Sequence, residues 1–238
     1  MSPLPLGRPG ITKRPGRPSS FETGRHRPEG TDSLPPRSRN MAKTKKPEIV
    51  DRIEEADAAA AEAVGPYRET LPIRLLSWLS KAGDQPPLRT LCAAAIAAGL
   101  AGGNRRLAAA GARALASHTL ATVVKDAVKH RVDRSRPRSR GDEKPKIKPG
   151  ISTAKEETSF PSGHSAGAAA VASAFAREFP EYAASAYGAA GLIALAQVPR
   201  CSHYPSDVGA GLAIGIAADA ALDQALGAVP LAGDGTES

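Results

Sequence analysis

Three short clusters hold most of the groups in this sequence that could do acid–base or nucleophilic work. The first is Lys129-His130-Arg131-Val132-Asp133-Arg134-Ser135-Arg136-Pro137, the second Ser159-Phe160-Pro161-Ser162-Gly163-His164, and the third Pro199-Arg200-Cys201-Ser202-His203-Tyr204-Pro205-Ser206-Asp207. An imidazole can take up, release or share a proton near neutral pH, and a neighbouring carboxylate can fix its tautomer. Lys129 offers a mobile point charge, whereas Arg136 offers a planar fork matched to two phosphate oxygens, with Pro137 holding the backbone extended. Ser162 can cap a helix, so that the free N–H groups of Gly163 and the next residues point outward with the positive end of the dipole. The ligand complementary to such a set is an anion, and a phosphate fits it.

These clusters act together only if the chain folds back on itself. From about Leu71 the pattern is helical, interrupted at residues 83–87, 102–104, 132–160, Pro180 and Pro199. The expected helices span roughly 71–82, 88–102, 105–131, 163–179, 181–197 and 206–228. No stretch alternates like a strand, so the expected fold class is all-α, a membrane-embedded bundle of about six helices. The fourth and fifth helices match in length and form an antiparallel hairpin, which returns the chain to the end where it began and brings His203 beside His164. The third helix delivers Lys129 and Arg136 to that same end, because residues 132–160 must reconnect to Pro161. Two histidines, an aspartate and several cations gathered among alanines need partners or a ligand.

The chain of 238 residues carries a formal charge of +8, but residues 1–52 hold 12 Lys and Arg against 5 Asp and Glu. The excess therefore belongs to a Pro-, Gly- and Arg-rich tail that cannot repay the entropy of ordering. The expected organisation is a disordered tail and linker over 1–65, a six-helix domain over 66–229 and a disordered tail over 230–238. The more ordinary sequence that opens at Met41 suggests that residues 1–40 come from a start codon set too early. No apolar run of signal-peptide length follows the basic start, so internal segments must provide any route to a membrane. Their Ala- and Gly-rich faces, including Gly188, Gly191 and the Gly211–Gly215 pair, permit close helix–helix approach in a membrane. The same faces suit a compact soluble bundle. With the N-terminus in the cytoplasm, the Arg105-Arg106 and Arg177 turns would also be cytoplasmic and residues 132–160 would face outward.

Lys129-x6-Arg136-Pro137, Pro161-Ser162-Gly163-His164 and His203-x3-Asp207 together resemble the signature of the type 2 phosphatidic acid phosphatase and vanadium haloperoxidase superfamily. The resemblance covers residues 70–228, and three linked motifs in order are far more specific than any one alone. It implies two-step phosphoryl transfer through a phosphohistidine, with His203 as nucleophile, Asp207 holding its other ring nitrogen, and His164 protonating the leaving oxygen and then activating water. A bell-shaped pH profile would follow. Lys129, Arg136, Ser162 and Gly163 would bind the phosphoryl oxygens. One departure stands out, because the pattern places a serine and an arginine where this chain has Ala196 and Gln197. Arg200 is the candidate substitute. No metal and no cofactor are expected.

Other polar residues invite weaker readings. His118 lies among Ala and Leu, as a packing histidine does, and His130 points about 100° away from Lys129. Asp219 and Asp223 share a face but lie three to four turns beyond Asp207, with no His or Cys at zinc spacing. The leading expectation is a phosphatase acting on a lipid phosphomonoester or pyrophosphate, such as phosphatidate, phosphatidylglycerol phosphate or a polyprenyl diphosphate, at the outer face of a bacterial-type cell membrane. The competitors are a soluble non-specific acid phosphatase, a vanadate-dependent haloperoxidase, and a non-catalytic membrane or nucleic-acid binding protein. The cations of residues 138–148 lack interleaved aromatics, which argues against specific nucleic-acid binding.

Overall fold

A computed structural model describes residues 47–139 and 145–228. Of the expected N-terminal tail and linker over 1–65, residues 1–46 lie outside the described residues, as do the expected tail over 230–238 and the reading of an early start codon. Seven α-helices occur among those residues: α1 Glu48–Val64, α2 Leu71–Leu79, α3 Gln85–Ala101, α4 Arg105–Lys129, α5 Gly163–Glu178, α6 Ala183–Leu195 and α7 Pro205–Gly227. The all-α expectation holds, and α2 to α7 follow the six expected spans. Two features differ. A minimal antiparallel ladder pairs β1, Val132–Asp133, with β2, Lys148–Pro149, inside the long connection. Residues 48–64, expected within a disordered linker, form α1, because Glu54 and Asp57 turn inward and are buried, Glu54 accepting from Ile147 N and Asp57 from Arg134 and Ser206.

The centre of the bundle is α5, of which ten residues are buried, among them Ala166, Ala168, Ala169, Ala170 and Ala174. Side chains this small let neighbouring backbones come close. A Cβ placed on Gly211 would lie 2.5 Å from the Ser162 carbonyl oxygen, and one on Gly215 would lie 2.3 Å from that of Ala166, so α7 packs on α5 through bare glycine. Gly111 of α4 meets α3 in the same way, against the Cys92 carbonyl. Asn104 starts α4 by accepting a hydrogen bond from Leu107 N at 3.0 Å.

Helix lengths separate two roles. With 25 and 23 residues, α4 and α7 are long and apolar enough to cross a membrane, at about 37 Å and 34 Å against a hydrocarbon core near 30 Å. The nine residues of α2 reach only about 14 Å. This helix stays at the end of the bundle to which His164 and Arg200 belong, since Arg200 Nη1 donates to Ser80 Oγ at 2.6 Å just after it. Five helices, α3 to α7, therefore run between the two ends. The sequence expectation that a cytoplasmic N-terminus goes with an outward-facing 132–160 loop counts α2 as a crossing, and its nine residues are shorter than a span.

Candidate active site

The connection after α4 is tied down residue by residue. Arg134 N donates to Glu157 O and Arg136 N to Glu156 O, while Ser159 N donates back to Arg134 O. This extended pairing brings Ser159 and the start of α5 beside the end of α4. Arg138 N then reaches Cys201 O, and Arg136 Nη1 donates to Ser202 O at 3.2 Å, which attaches the third cluster. Cys201 adopts φ 52°, a left-handed conformation that costs a non-glycine residue about 1–2 kcal/mol. It closes a turn in which Ser202 N and His203 N both donate to Gln197 O, and this turn delivers His203 to the interior, 3% exposed.

His203 Nδ1 lies 2.8 Å from the Ser159 carbonyl oxygen. A carbonyl can only accept, so Nδ1 carries the hydrogen and Nε2 keeps its lone pair. The expected arrangement, with Asp207 holding that nitrogen, is corrected in detail: Asp207 Oδ2 is 3.8 Å from Nδ1, within ion-pair range but beyond a hydrogen bond. The Asp207 carboxylate accepts from Ser159 Oγ at 2.5 Å, Tyr204 N at 2.9 Å and Arg134 Nη1 at 2.5 Å. Ser159 thus joins the pair, bonding Asp207 through its hydroxyl and His203 through its carbonyl. Burial lowers the His203 pKa below the ordinary imidazole value, with Asp207 opposing that shift and Arg136 and Lys129 adding to it.

The other expected residues sit around this pair. Ser162 caps α5, its Oγ accepting from Ser165 Oγ at 2.9 Å, and its own N–H donates to the Asp207 carbonyl at 3.0 Å. Gly163 and His164 form the first turn, whose amides have no intrahelical acceptor. His164 Nε2 lies 2.7 Å from Asp84 Oδ1, at the turn between α2 and α3. Arg136 is buried, and burial together with the like charge of Arg138 pushes its pKa below the usual guanidinium value. Arg200 is also lowered, first by burial, and its charge acts on both His164 and Arg136. Cations held together against burial in this way favour a bound anion.

Several participants were not singled out from the sequence. Lys125 is buried, 6% exposed, pairs with Asp126 at 2.5 Å, and would place Nζ 3.9 Å from a Cβ on Gly163. Its position one turn before Lys129 was the available signal. Arg134 is 1% exposed, stacks at 4.3 Å over the Tyr204 ring, and bridges Asp207 to Asp57 of α1, whose Oδ2 lies 2.6 Å from Nη2. Asp57 also accepts from Ser206 N at 3.1 Å and Ser206 Oγ at 2.5 Å. Gln197, standing where the resemblance leads one to expect arginine, donates its side-chain amide to Ile193 O of the preceding α6 at 2.9 Å.

The residues set aside also find their places. His118 is buried in α4 against Gly167, and His130 caps α4 through Nδ1 and Asp126 O, 2.6 Å apart. Asp219 and Asp223 serve a second network at the far end of α7. Asp219 accepts from Arg113 at 3.2 Å, Ser117 at 3.0 Å, Ser173 at 2.9 Å and Arg177 at 2.6 Å, and Asp223 pairs with both arginines. Those carboxylates tie α4, α5 and α7 together.

Comparison with known proteins adds three findings. The family model described as the PAP2 superfamily matches residues 110–226. A lipid A 1-phosphatase from Rhizobium etli is 47% identical over 57 residues, 24% of this chain, and one from Rhizobium johnstonii is 47% identical over the same length. The chain matches only about a quarter of the length of these relatives. Among solved structures, Aquifex aeolicus LpxE superposes with a TM-score of 0.53 at 19% identity, over 69% of this chain and 92% of that one. The first transmembrane PAP2-type phosphatidylglycerolphosphate phosphatase from Bacillus subtilis gives 0.54 at 20%, over 74% and 88%. At these identities the likeness is one of fold.

Proposed function

Since the chain belongs to the PAP2 superfamily, we propose that it is a metal-independent phosphatase that removes phosphate from a lipid phosphomonoester or pyrophosphate. The observation that carries the reading is the Ser159 carbonyl on His203 Nδ1, which leaves Nε2 as the nucleophile on a ring that feels the charges of Arg136 and Lys129. In the first step Nε2 attacks phosphorus, the N–P bond forms and the P–O bond to the leaving group breaks. His164 supplies the proton that the leaving oxygen takes up. In the second step His164 accepts a proton from water, whose oxygen displaces the imidazole from phosphorus and regenerates His203. The ring becomes positive while phosphorylated, and Asp207 at 3.8 Å stabilises that charge.

Lys129, Arg136 and the Ser162–Gly163 amides bind the phosphoryl oxygens in this scheme, and their fixed placement supplies charge stabilisation without reorganisation. Gln197 contributes no cation, and in this scheme Lys125, beside Gly163, and Arg200, whose charge acts on His164, make good that loss. Lipid as the carrier is supported by the bundle's surface. Leu91, Leu100, Val123, Leu192, Leu195 and Leu226 are all exposed, each 56% or more, a surface that belongs in contact with acyl chains rather than water. The bundle is then multi-pass. In this reading α1, held to Arg134 through Asp57, lies on the same side as the site.

The test is phosphate release by purified protein in EDTA from phosphatidate, a polyprenyl diphosphate and a soluble aryl phosphate, compared with His203→Ala. Release from a lipid that disappears in the variant supports the proposal. Folded protein inert on every substrate overturns it.

A further inference from the structure

The helix α2 has an apolar face that none of the described residues covers. Leu71, Leu75, Trp78 and Leu79 recur at i, i+4, i+7 and i+8, which places them on one side, and they are 68%, 55%, 68% and 59% exposed. On the opposite side Ile73, Leu76 and Ser77 are half-buried, and the helix leads into the buried Ser80. Arg68, Arg74 and Lys81 flank the apolar face against a single acid, Glu69, and Tyr67 precedes it, 62% exposed. The exposed leucines continue onto the bundle at Leu192 and Leu195 of α6, the helix whose Ile193 side chain meets Gly83.

We propose that α2 lies flat in the headgroup region of an anionic bilayer, its leucines and Trp78 among the upper acyl chains and its cations among the phosphates. The composition selects this occupant over a protein partner. Tryptophan and tyrosine favour the membrane–water boundary, lysine and arginine reach back to headgroups along their alkyl stems, and an excess of positive charge suits an anionic surface. The nine residues of α2 are too few to cross, so lying in the interface is how this face is buried. The placement has a catalytic consequence that rests on the lipid phosphatase reading. From α2 the chain passes through Ser80, which holds Arg200, and Gly83, whose Cβ position lies 3.5 Å from His164 Cδ2, to Asp84, 2.7 Å from His164 Nε2. The helix therefore sets the depth of the site, so that a lipid phosphate meets His164 and His203 without leaving the leaflet.

Trp78 is the one tryptophan of the chain and so reports on itself. The full chain is placed in vesicles of phosphatidylcholine and phosphatidylglycerol brominated either near the carboxyl end or near the methyl end of the acyl chain. Stronger quenching of Trp78 by the shallow bromines, with little quenching by aqueous acrylamide, is the expected result. Quenching by acrylamide alone places the face in water, shielding from both quenchers places a protein or a second copy on it, and stronger quenching by the deep bromines submerges the helix; each overturns the proposal. A Trp78→Phe, Leu192→Trp chain reports on the bundle. If it is quenched by brominated lipid while Trp78 is not, the α2 proposal fails and the membrane reading stands; if neither is quenched, both fail. In the kinetic arm, Leu75→Glu with Trp78→Glu raises KM for a vesicle-borne substrate about tenfold and leaves soluble aryl phosphate turnover unchanged. An unchanged KM for the lipid refutes the catalytic consequence.

Discussion

Replacing Asp57 by alanine tests whether α1 belongs to the catalytic apparatus. In the native chain the Asp57 carboxylate, 2% exposed, receives Arg134 Nη2 at 2.6 Å and Ser206 N and Oγ at 3.1 and 2.5 Å. Removing one partner of a buried ion pair costs about 3–5 kcal/mol. Arg134 retains Asp207 at 2.5 Å, so its charge is not left alone and the lower end, about 3 kcal/mol, applies. For a domain of this size each kcal/mol lowers the melting temperature by about 2–4 °C, which gives a drop of about 6–12 °C. Freed on one side, Arg134 shifts toward Asp207 and disturbs the carboxylate that faces His203, and kcat falls about tenfold, or about 1.4 kcal/mol of barrier, while KM moves little. Asp57→Asn keeps the shape and one acceptor and should fall between. Thermal unfolding by circular dichroism in detergent and phosphate release are the two assays. Wild-type values for Asp57→Ala in both would refute the claim that α1 is docked on the site.

Lys125→Met should lower kcat/KM by one to two orders of magnitude, roughly 1.5–3 kcal/mol for a lost charged hydrogen bond, and a wild-type value would remove Lys125 from the phosphate cradle. Because burial lowers the His203 pKa, this imidazole stays neutral to more acidic pH, and with His203 as the proposed nucleophile the acidic limb of kcat/KM should fall below the ordinary histidine value of about 6.5. Asp207→Asn removes an interaction that raises that pKa, so in its residual activity the limb should move further down; a shift upward would contradict the assignment. Gly211→Ala forces a methyl group to within 2.5 Å of the Ser162 carbonyl and should destabilise the bundle by about 1–3 kcal/mol, visible as a lower melting temperature.

The parts legible in the sequence were those written in local pattern. Glycines and prolines marked where α2 to α7 begin and end, and the hairpin expected over 163–179 and 181–197 required His164 and His203 to share one end. Ser162 announced itself as a cap. What escaped was set by contacts distant in sequence. Asp57 lies 77 residues before Arg134 in an acidic, alanine-rich stretch that any solvated helix or linker could show. Ser159 intervenes between His203 and Asp207 because backbone pairing with Arg134 carries its carbonyl there, and no spacing rule reports that. Arg134 was within reach, since in extended backbone it shares a side with Arg136.

The number of helices that run from end to end has a bearing on how the molecule is oriented. In the multi-pass reading proposed above, α7 leads from Asp207 at the active site to the Arg113–Arg177–Asp219–Asp223 network, so Ala228 lies at the end away from the site. A reporter fused after residue 228 therefore reads the compartment that the active site does not face. Such a fusion fixes which leaflet the substrate must come from and on which side free phosphate accumulates, before any lipid has been identified.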